Sequence, residues 1–547
     1  MTNEEALRHF RRVCENAYAE QDRLLLRLMH RNKDTEYGKR YSFGSVHNCE
    51  EYARYVPLGR FADYDGCIAR IVKGERNIIT ADPPVFYNIS AGSTGEPKYV
   101  PLTREDIEKQ HIYEDLAVSG MIKEALPEYS DSELFGCIFN LGDFFLTRMD
   151  DGVMNGVRSG AYFRTAKEEG TFDGSVFCVP DDVMFPESLC DMLYPKLRFA
   201  LANRDITAIH GVFVHRTVGI FRYIENHWEE LLNDIEKGTV SDSFALSGHW
   251  LNYILEKLPP DPQRAAELRC IARETLADGM LRKLWKKLRY IRVIDGKLFG
   301  AYSERFRRYA EDIPVHCFAY ASSESNIGIA PRMGVTDEYV LLPDVCFFEF
   351  IPEEQMSAPR DILTFRDVQA GKRYETVITT LSGLYRYRIG DVVEVTGKYG
   401  EAPAVKVCYR KDLVISLSDE RMNLMQFETA MSSFCGRAGI TAEGFCAAGN
   451  YDDIVPHYVV YIETPDELPD GAELLLDSCF CGSSLGYKGA RKVGDLGGAG
   501  ICPVKSGTFK RYERICWEKG RRTEQAKPLR ILTDPGQILF FERAEKK

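Results

Sequence analysis

A chain of 547 residues is too long for one hydrophobic core, so roughly two to four structural units are expected. With 44% apolar and 28% charged residues, the composition is that of a globular protein, not a disordered or fibrous one. A net charge of −12 argues against a nucleic-acid partner, and no run of about 18 apolar residues is present to cross a membrane as a helix.

The most basic stretches, 283–292 and 505–522, are interleaved with apolar residues and read as amphipathic, solvated faces. The opening MTNEEALRHF lacks the apolar core of a secretion signal, and sixteen cysteines are scattered without regular spacing. Reduced thiols in a cytoplasmic protein are the expectation. No HExxH occurs, and Cys479-Phe480-Cys481 has no partner pair, so no metal cage is expected.

Taken in chain order, residues 4–31 place Leu7, Phe10, Val13, Ala17, Leu24 and Leu28 at helical spacing and predict one amphipathic helix. A polar segment, 32–43, leads to short helices around 46–55. Residues 85–102 then read as strand, small-residue loop and strand. Thr103, with Asp106 three residues on, opens a helix running to about 124. Strands are expected at 134–140 and 208–214, the second followed by a long helix over 217–236 and a helical region over 263–288. A strand (290–294), a helix (302–310) and another strand (314–320) follow. Further strands at 339–342, 346–351, 375–380 and 391–396 suggest an attached β unit. From 423 a helix–strand–strand–helix pattern begins, including the alternating 457–463. The expected fold is therefore α/β: a large N-terminal domain of α/β layers plus a β subdomain (1–412), and a small α+β domain (413–547).

Three stretches carry chemistry. The first is Ser90-Ala91-Gly92-Ser93-Thr94-Gly95-Glu96-Pro97-Lys98. Its glycines let backbone N–H groups turn toward an anion, its hydroxyls donate to oxygens, and Lys98 supplies charge, so a polyphosphate is the natural ligand. It is not the Walker loop, because Glu96 and Pro97 separate Gly95 from the lysine. From the residues alone an ordinary surface hairpin stays open. The second stretch, Tyr320-Ala321-Ser322-Ser323-Glu324, ends a strand with two hydroxyls and a carboxylate. Glu324 suits Mg²⁺ beside a phosphate loop, although a helix N-terminus would use the same residues. The third, Thr379–Asp391 (TTLSGLYRYRIGD), packs aromatics, arginines and Asp391 into a turn between strands. Asp391 can accept from ribose hydroxyls and a Tyr or Arg can clamp a nucleotide, or the charges can form cross-strand ion pairs. A fourth pattern, Gly482-Ser483-Ser484-Leu485-Gly486, matches GxSxG, but a helix is expected before it where a nucleophile elbow needs a strand.

Ser90–Lys98 fits at every position the phosphate-loop signature of adenylate-forming enzymes, the acyl-CoA synthetase and luciferase superfamily. The three motifs in order, with 226–240, 346–352, 32–41 and 524–530, resemble the acyl-acid amido synthetases, the plant auxin-responsive promoter family and its bacterial members. The resemblance implies an N-terminal domain that makes an acyl-adenylate from ATP and a carboxylic acid, releasing pyrophosphate, and a mobile C-terminal domain. An amino acid or other amine then attacks, giving an amide and AMP. It further implies that Ser90, Gly92, Ser93, Thr94, Gly95 and Lys98 hold phosphates. Tyr320, Ser322 and Ser323 would lie by the adenine and α-phosphate, Glu324 on Mg²⁺, Asp391 on the ribose and Arg410 near the hinge. Lys527 would reach the α-phosphate and acyl carboxylate. Leu116, Phe213, Val214, Ala319 and Asn326 would border the acyl pocket. Asn326 and Ala319 differ from the aromatic and methionine usual in plant members, so an indole acid is not implied. Gln525-Ala526-Lys527-Pro528-Leu529-Arg530 also departs from the usual Gln-Tyr-Lys-x-Pro-Arg. His111, His210 and His215 are candidates for a base that frees the amine. The rivals are transfer to a thiol, as in a CoA ligase, and a non-catalytic ATP-binding protein.

Overall fold

The computed structural model describes the chain apart from residues 91–97, 143, 146, 187–191, 245, 247, 272–275, 296–299, 411–413, 416, 419, 421, 452, 454, 519–528, 533–534 and 546–547. Two compact units are present. The first comprises Met1–Ser90 and Tyr99–Lys411, and the second is built mainly from Asp412–Lys547.

The first unit begins with helices Asn3–Glu15 and Ala17–Asn32. Thr2 and Glu5 cap the first reciprocally. The single helix expected over 4–31 breaks at Asn16, whose side-chain amide donates to the Arg12 carbonyl (2.9 Å), a local bond that competes with the helical ladder. All six apolar positions read from the spacing are buried.

Among the described residues, fifteen strands of this unit form three sheets. In the first, β1 (Phe86–Ser90), β2 (Lys98–Leu102), β4 (Thr147–Arg148) and β5 (Met154–Gly156) lie in the order β2-β1-β5-β4. The second consists of β3 (Ile138–Asn140), β6 (Ala208–Phe213), β7 (Tyr290–Ile294) and β8 (Val315–His316), all parallel, in chain order. The third holds β9 (Ala319–Ala321), β10 (Asn326–Ile329), β11 (Tyr339–Leu341), β12 (Cys346–Pro352), β13 (Arg373–Thr380), β14 (Tyr387–Tyr399) and β15 (Ala402–Arg410). Its order is β12-β13-β14-β15-β11-β10-β9, antiparallel throughout.

Three further expectations need correction. Residues 134–140 are not one strand: Ser130 and Glu133 cap a helix over Asp131–Phe135, leaving only β3. The helix expected over 217–236 is two, Val214–Asn226 and Trp228–Lys237, parted at His227. The strand expected over 314–320 divides into β8 and β9, which belong to different sheets. This short run therefore carries the chain from the parallel to the antiparallel sheet.

In the second unit, the short strands β16 (Val414–Ile415) and β17 (Met422–Asn423) pair with each other. Helix Leu424–Ala438 is followed by β18 (Gly444–Asn450), β19 (His457–Glu463), helix Ala472–Ser483 and β20 (Gly500–Val504). The two helices enclose Phe427, Phe434, Tyr458, Leu476 and Phe480 against the sheet. Ser484 is no nucleophile elbow. It follows a helix, is buried, and accepts from the Tyr487 N–H (3.2 Å) to cap helix Leu485–Lys492.

Candidate functional site

The strand that enters the first motif meets the second and third motifs inside the first unit. Asn88, two residues before the end of β1, donates from its side chain to the Ser323 carbonyl (2.7 Å). That bond fastens the strand feeding the glycine-rich loop to the turn between β9 and β10. Tyr320, on β9, donates to Asp391 Oδ2 (3.0 Å) on β14. Tyr387, also on β14, donates to Glu324 Oε1 (2.9 Å). Two tyrosine hydroxyls thus tie the second motif to the third, each at a carboxylate. Asp391 is paired in register with Arg410 on β15.

The turn at 322–325 is local chemistry, not a helix N-terminus. Ser322 N–H donates to the Ser325 carbonyl (2.9 Å), and Ser322 Oγ accepts from the N–H groups of Glu324 (3.2 Å) and Ser325 (3.3 Å). An ST-turn closes the hairpin, with Glu324 half-buried within it. Gly92, Ser93, Thr94, Gly95 and Lys527 lie outside the described residues, as do the side chains of Ser90, His215 and Arg410. Lys98 opens β2.

The arginines of the third motif are not free to clamp a ligand. Arg386 is buried and makes a two-pronged pair with Glu349 (2.8–3.1 Å), and it donates to the carbonyls of Ala53 and Val56. Arg388 pairs with Glu375 across β13 and β14 (2.5 Å). The cross-strand alternative holds for Arg388, whereas Arg386 pairs from the turn between β13 and β14. Sequence reasoning missed these carboxylate partners, because Glu349 and Glu375 belong to strands that only the fold sets alongside.

A cleft lies beside this frame. It is lined by Gln110, Glu114, Asp115, Asn140, Phe144, Ser159, Tyr162, Phe163, His210, Gly211, Arg292 and Phe318. Helix Arg104–Gln110, capped by Thr103 with Asp106, widens over His111–Ala117 into a π-helical segment and continues as Val118–Ala125. Such widenings recur at functional sites. Arg292 on β7 donates to the Glu114 carbonyl (2.7 Å) and to Asp115 Oδ1 (3.1 Å), and its guanidinium lies 4.6 Å from the Phe318 ring centre. Burial and the neighbouring Asp115 raise Glu114 to about 7, whereas the contacts of Asp115 with His111 and Arg292 outweigh its burial and keep it low.

The expected acyl-pocket residues are not among those lining this cleft. Val214 is buried, Ala319 is buried in apolar packing, Leu116 packs against the main core, and Phe213 ends β6. Asn326 is 1% exposed and accepts from Arg158 Nε (3.1 Å). Two of the histidines do reach the cleft region. His111 stacks on Tyr162 (3.7 Å between centres) and meets Asp115 (3.1 Å). His210 contacts the Tyr290 hydroxyl (3.0 Å), and burial together with Arg292 pushes it well below the usual imidazole range, which makes it a weak base.

For a divalent cation, Glu324 offers a carboxylate already oriented by Tyr387, and no cluster of three ligating side chains exists among the described residues. That donor set fits Mg²⁺, which takes one or two carboxylates and completes its shell with water and phosphate oxygens.

The chain matches the GH3 family N-terminal domain over residues 6–315, the central domain over 339–410 and the C-terminal domain over 425–536. It is 26% identical to the indole-3-acetic acid-amido synthetase GH3.3 of Arabidopsis thaliana, covering 96% of this chain and 91% of that one. It is 27% identical to the jasmonoyl–L-amino acid synthetase JAR4 of Nicotiana attenuata, over 92% and 89%. Among solved structures, the GH3.15 acyl acid amido synthetase in complex with 2,4-DB superposes with a TM-score of 0.67 at 23% identity, covering 100% and 97%. A 2-hydroxyisobutyryl-CoA ligase shares the fold more distantly, with a TM-score of 0.52 at 12% identity over 97% and 92%. The Ser90–Lys98 segment, the Tyr320–Glu324 hairpin and the Asp391 strand thus stand in a chain most of whose length follows one family pattern, and the chain belongs to the GH3 family.

Proposed function

We propose that this chain is an ATP-dependent acyl-acid amido synthetase. It joins a carboxylic acid to AMP with loss of pyrophosphate, then passes the acyl group to the amine of an amino acid, giving an amide and AMP. The observation that carries the reading is that Asn88–Ser323, Tyr320–Asp391 and Tyr387–Glu324 hydrogen bonds link the strand entering the Ser90–Lys98 segment, the Tyr320–Glu324 turn and the Asp391 strand.

In this reading the loop from Ser90 to Lys98 cradles the β- and γ-phosphates, and Asp391 accepts from the ribose. Tyr320 orients Asp391, and Ser322 and Ser323 shape the wall by the adenine and α-phosphate. Glu324 would hold Mg²⁺, which when bound offsets the repulsion between an anionic carboxylate and an anionic phosphate. Lys527 supplies further positive charge where negative charge accumulates. The domain bearing it, residues 413–547, takes separate poses for adenylation and aminolysis about a hinge near Arg410. The named relatives make amides, which favours an amine over the thiol of a CoA ligase.

Carboxylate-dependent exchange of pyrophosphate into ATP, run over aromatic and aliphatic acids, tests the first half. Exchange with at least one acid is expected. ATP binding without exchange for any acid would leave the binding-protein reading standing. Mass spectrometry of products formed with amino acids and CoA in competition is expected to show the amide, and a dominant thioester would reverse that assignment.

A further inference from the structure

The register of the parallel sheet produces an unusual row. Asn140 on β3 pairs with His210 on β6, His210 with Arg292 on β7, and Arg292 with His316 on β8. Directly paired residues of neighbouring strands project from the same face, so four polar side chains cross the sheet in one line. Asn140 and His316 are the last residues of their strands, which places the row toward the carboxyl ends, where open parallel sheets receive ligands. The row beneath it, Ile138–Ala208–Tyr290, is packed against Val118, Ile122 and Phe318 in the usual apolar manner.

The polar line is also incompletely satisfied. Arg292 Nε and both ring nitrogens of His316 are buried without hydrogen-bond partners among the described residues, and so is Gln110 Oε1, on another residue lining the cleft. Asn140, Arg292 and His316 are 6%, 7% and 0% exposed. Buried polar groups without partners are costly unless something else completes them. Among the residues lining the cleft, in contrast, no positive charge is left over, and Glu114, raised to about 7, adds part of a negative one. Arg292 is matched by Asp115, and neutral His210 adds none. A second carboxylate on a ligand would gain little here, whereas a neutral hydrogen-bonding group would gain partners. The walls beside the row are the rings of Phe144, Tyr162, Phe163 and Phe318, which suit a hydrocarbon or aromatic body.

We propose that this cleft receives the acyl acid of the amido synthetase reading, on which the inference rests. Its Asn140–His210–Arg292 row selects an acid bearing a hydroxyl or carbonyl group away from the activated carboxylate, over the hydrocarbon isostere. The energetic logic is asymmetric. An apolar pocket barely rejects an added hydroxyl, but a pocket built from buried hydrogen-bonding groups strongly rejects a ligand that leaves them unpaired.

The test compares matched acids: benzoate with 4-hydroxybenzoate, phenylacetate with 4-hydroxyphenylacetate, and hexanoate with 6-hydroxyhexanoate. In pyrophosphate exchange, kcat/KM for the best hydroxylated acid is expected to exceed that of its parent by about tenfold or more. The gap is expected to collapse to about twofold in Arg292→Met and in Asn140→Leu, because the hydroxylated acid loses more than its parent. Asn140→Leu is the second variant because Arg292 also pairs with Asp115 and its loss could impair folding. Parents that match their hydroxylated partners in the unmodified chain would overturn the proposal, as would variants that lower both members of a pair equally. If no acid supports exchange, the amido synthetase reading fails. The selectivity is then judged from thermal shifts of the full-length chain with each acid, where larger shifts for hydroxylated members uphold it and equal shifts overturn it.

Discussion

Arg386 occupies a left-handed conformation (φ 47°) in the turn between β13 and β14, with its side chain 5% exposed against an equally buried Glu349. The turn closes because Gly383, at φ 95°, passes so near Ile79 that a Cβ would lie 2.8 Å from that residue's carbonyl oxygen. Removing one member of such a pair leaves a buried charge uncompensated, a loss of roughly 3–5 kcal/mol. Arg386→Met is therefore expected to destabilise the first unit by about that amount in urea unfolding, because Glu349 loses both prongs of its pair. Adding Glu349→Leu to the same chain is expected to recover part of the loss. A single-variant loss below about 1 kcal/mol, the range of an exposed ion pair, would mean that Arg386 is not structural. The residue types of this motif were legible in the sequence as nucleotide chemistry, but their division of labour was not. Asp391 keeps a functional reading, with Tyr320 as its partner, whereas Arg386 is committed to Glu349 on β12 and Arg388 to Glu375 on the adjoining strand. Only strand pairing supplies those partners.

At the scale of elements, the helix 104–125 shows both what spacing reveals and what it hides. The Thr103–Asp106 cap is present, with Ser382 adding a further hydrogen bond to the same carboxylate, and the helix runs to Ala125 as its pattern implies. The π-helical widening at His111–Ala117 left no mark in the apolar periodicity. It arises where a cation from β7 binds the Glu114 carbonyl, a contact between residues 178 apart. The same segment contains a titrating acid. Glu114 faces Asp115, Arg158 and Arg292, accepts from Gln110 Nε2 (3.1 Å), and has its pKa raised from 4.5 to about 7, first by burial and then by Asp115. The folded value lies above the unfolded one, so the folded state keeps a proton that the unfolded chain has released. Stability must then fall as pH rises from about 4.5 to 7 and level off above that, by on the order of 3 kcal/mol. Glu114→Gln removes this dependence, since its amide oxygen can still accept from Gln110. The stability difference between variant and parent is expected to grow in the variant's favour over that window. A difference that does not change with pH would show that Glu114 does not titrate there.

At the scale of the molecule, a division near residue 412 separates the frame that holds Glu324 and Asp391 from the part of the chain that contains Lys527. Strand order inside each unit could not be read from one sequence, because a crossover such as β15 pairing with β11 depends on packing between segments with no local signal of their own. The motif order could be read, since glycines, hydroxyls and acids mark function locally. Lys527 illustrates the boundary of that legibility: the sequence proposes it by position in a family-like tail whose tyrosine is missing and whose proline is shifted. Its assigned task is electrostatic and confined to the transition state, where the acyl carboxylate meets the α-phosphate. Groups that act only there change turnover and not ground-state binding. Lys527→Ala is accordingly expected to lower pyrophosphate exchange by about a hundredfold or more while ATP affinity, measured by calorimetry, stays within about twofold. Equal loss in both would recast the lysine as an ATP-binding residue. Unchanged exchange would remove it from the chemistry, and the charge that draws carboxylate and phosphate together would then have to come from the Lys98 side of the site.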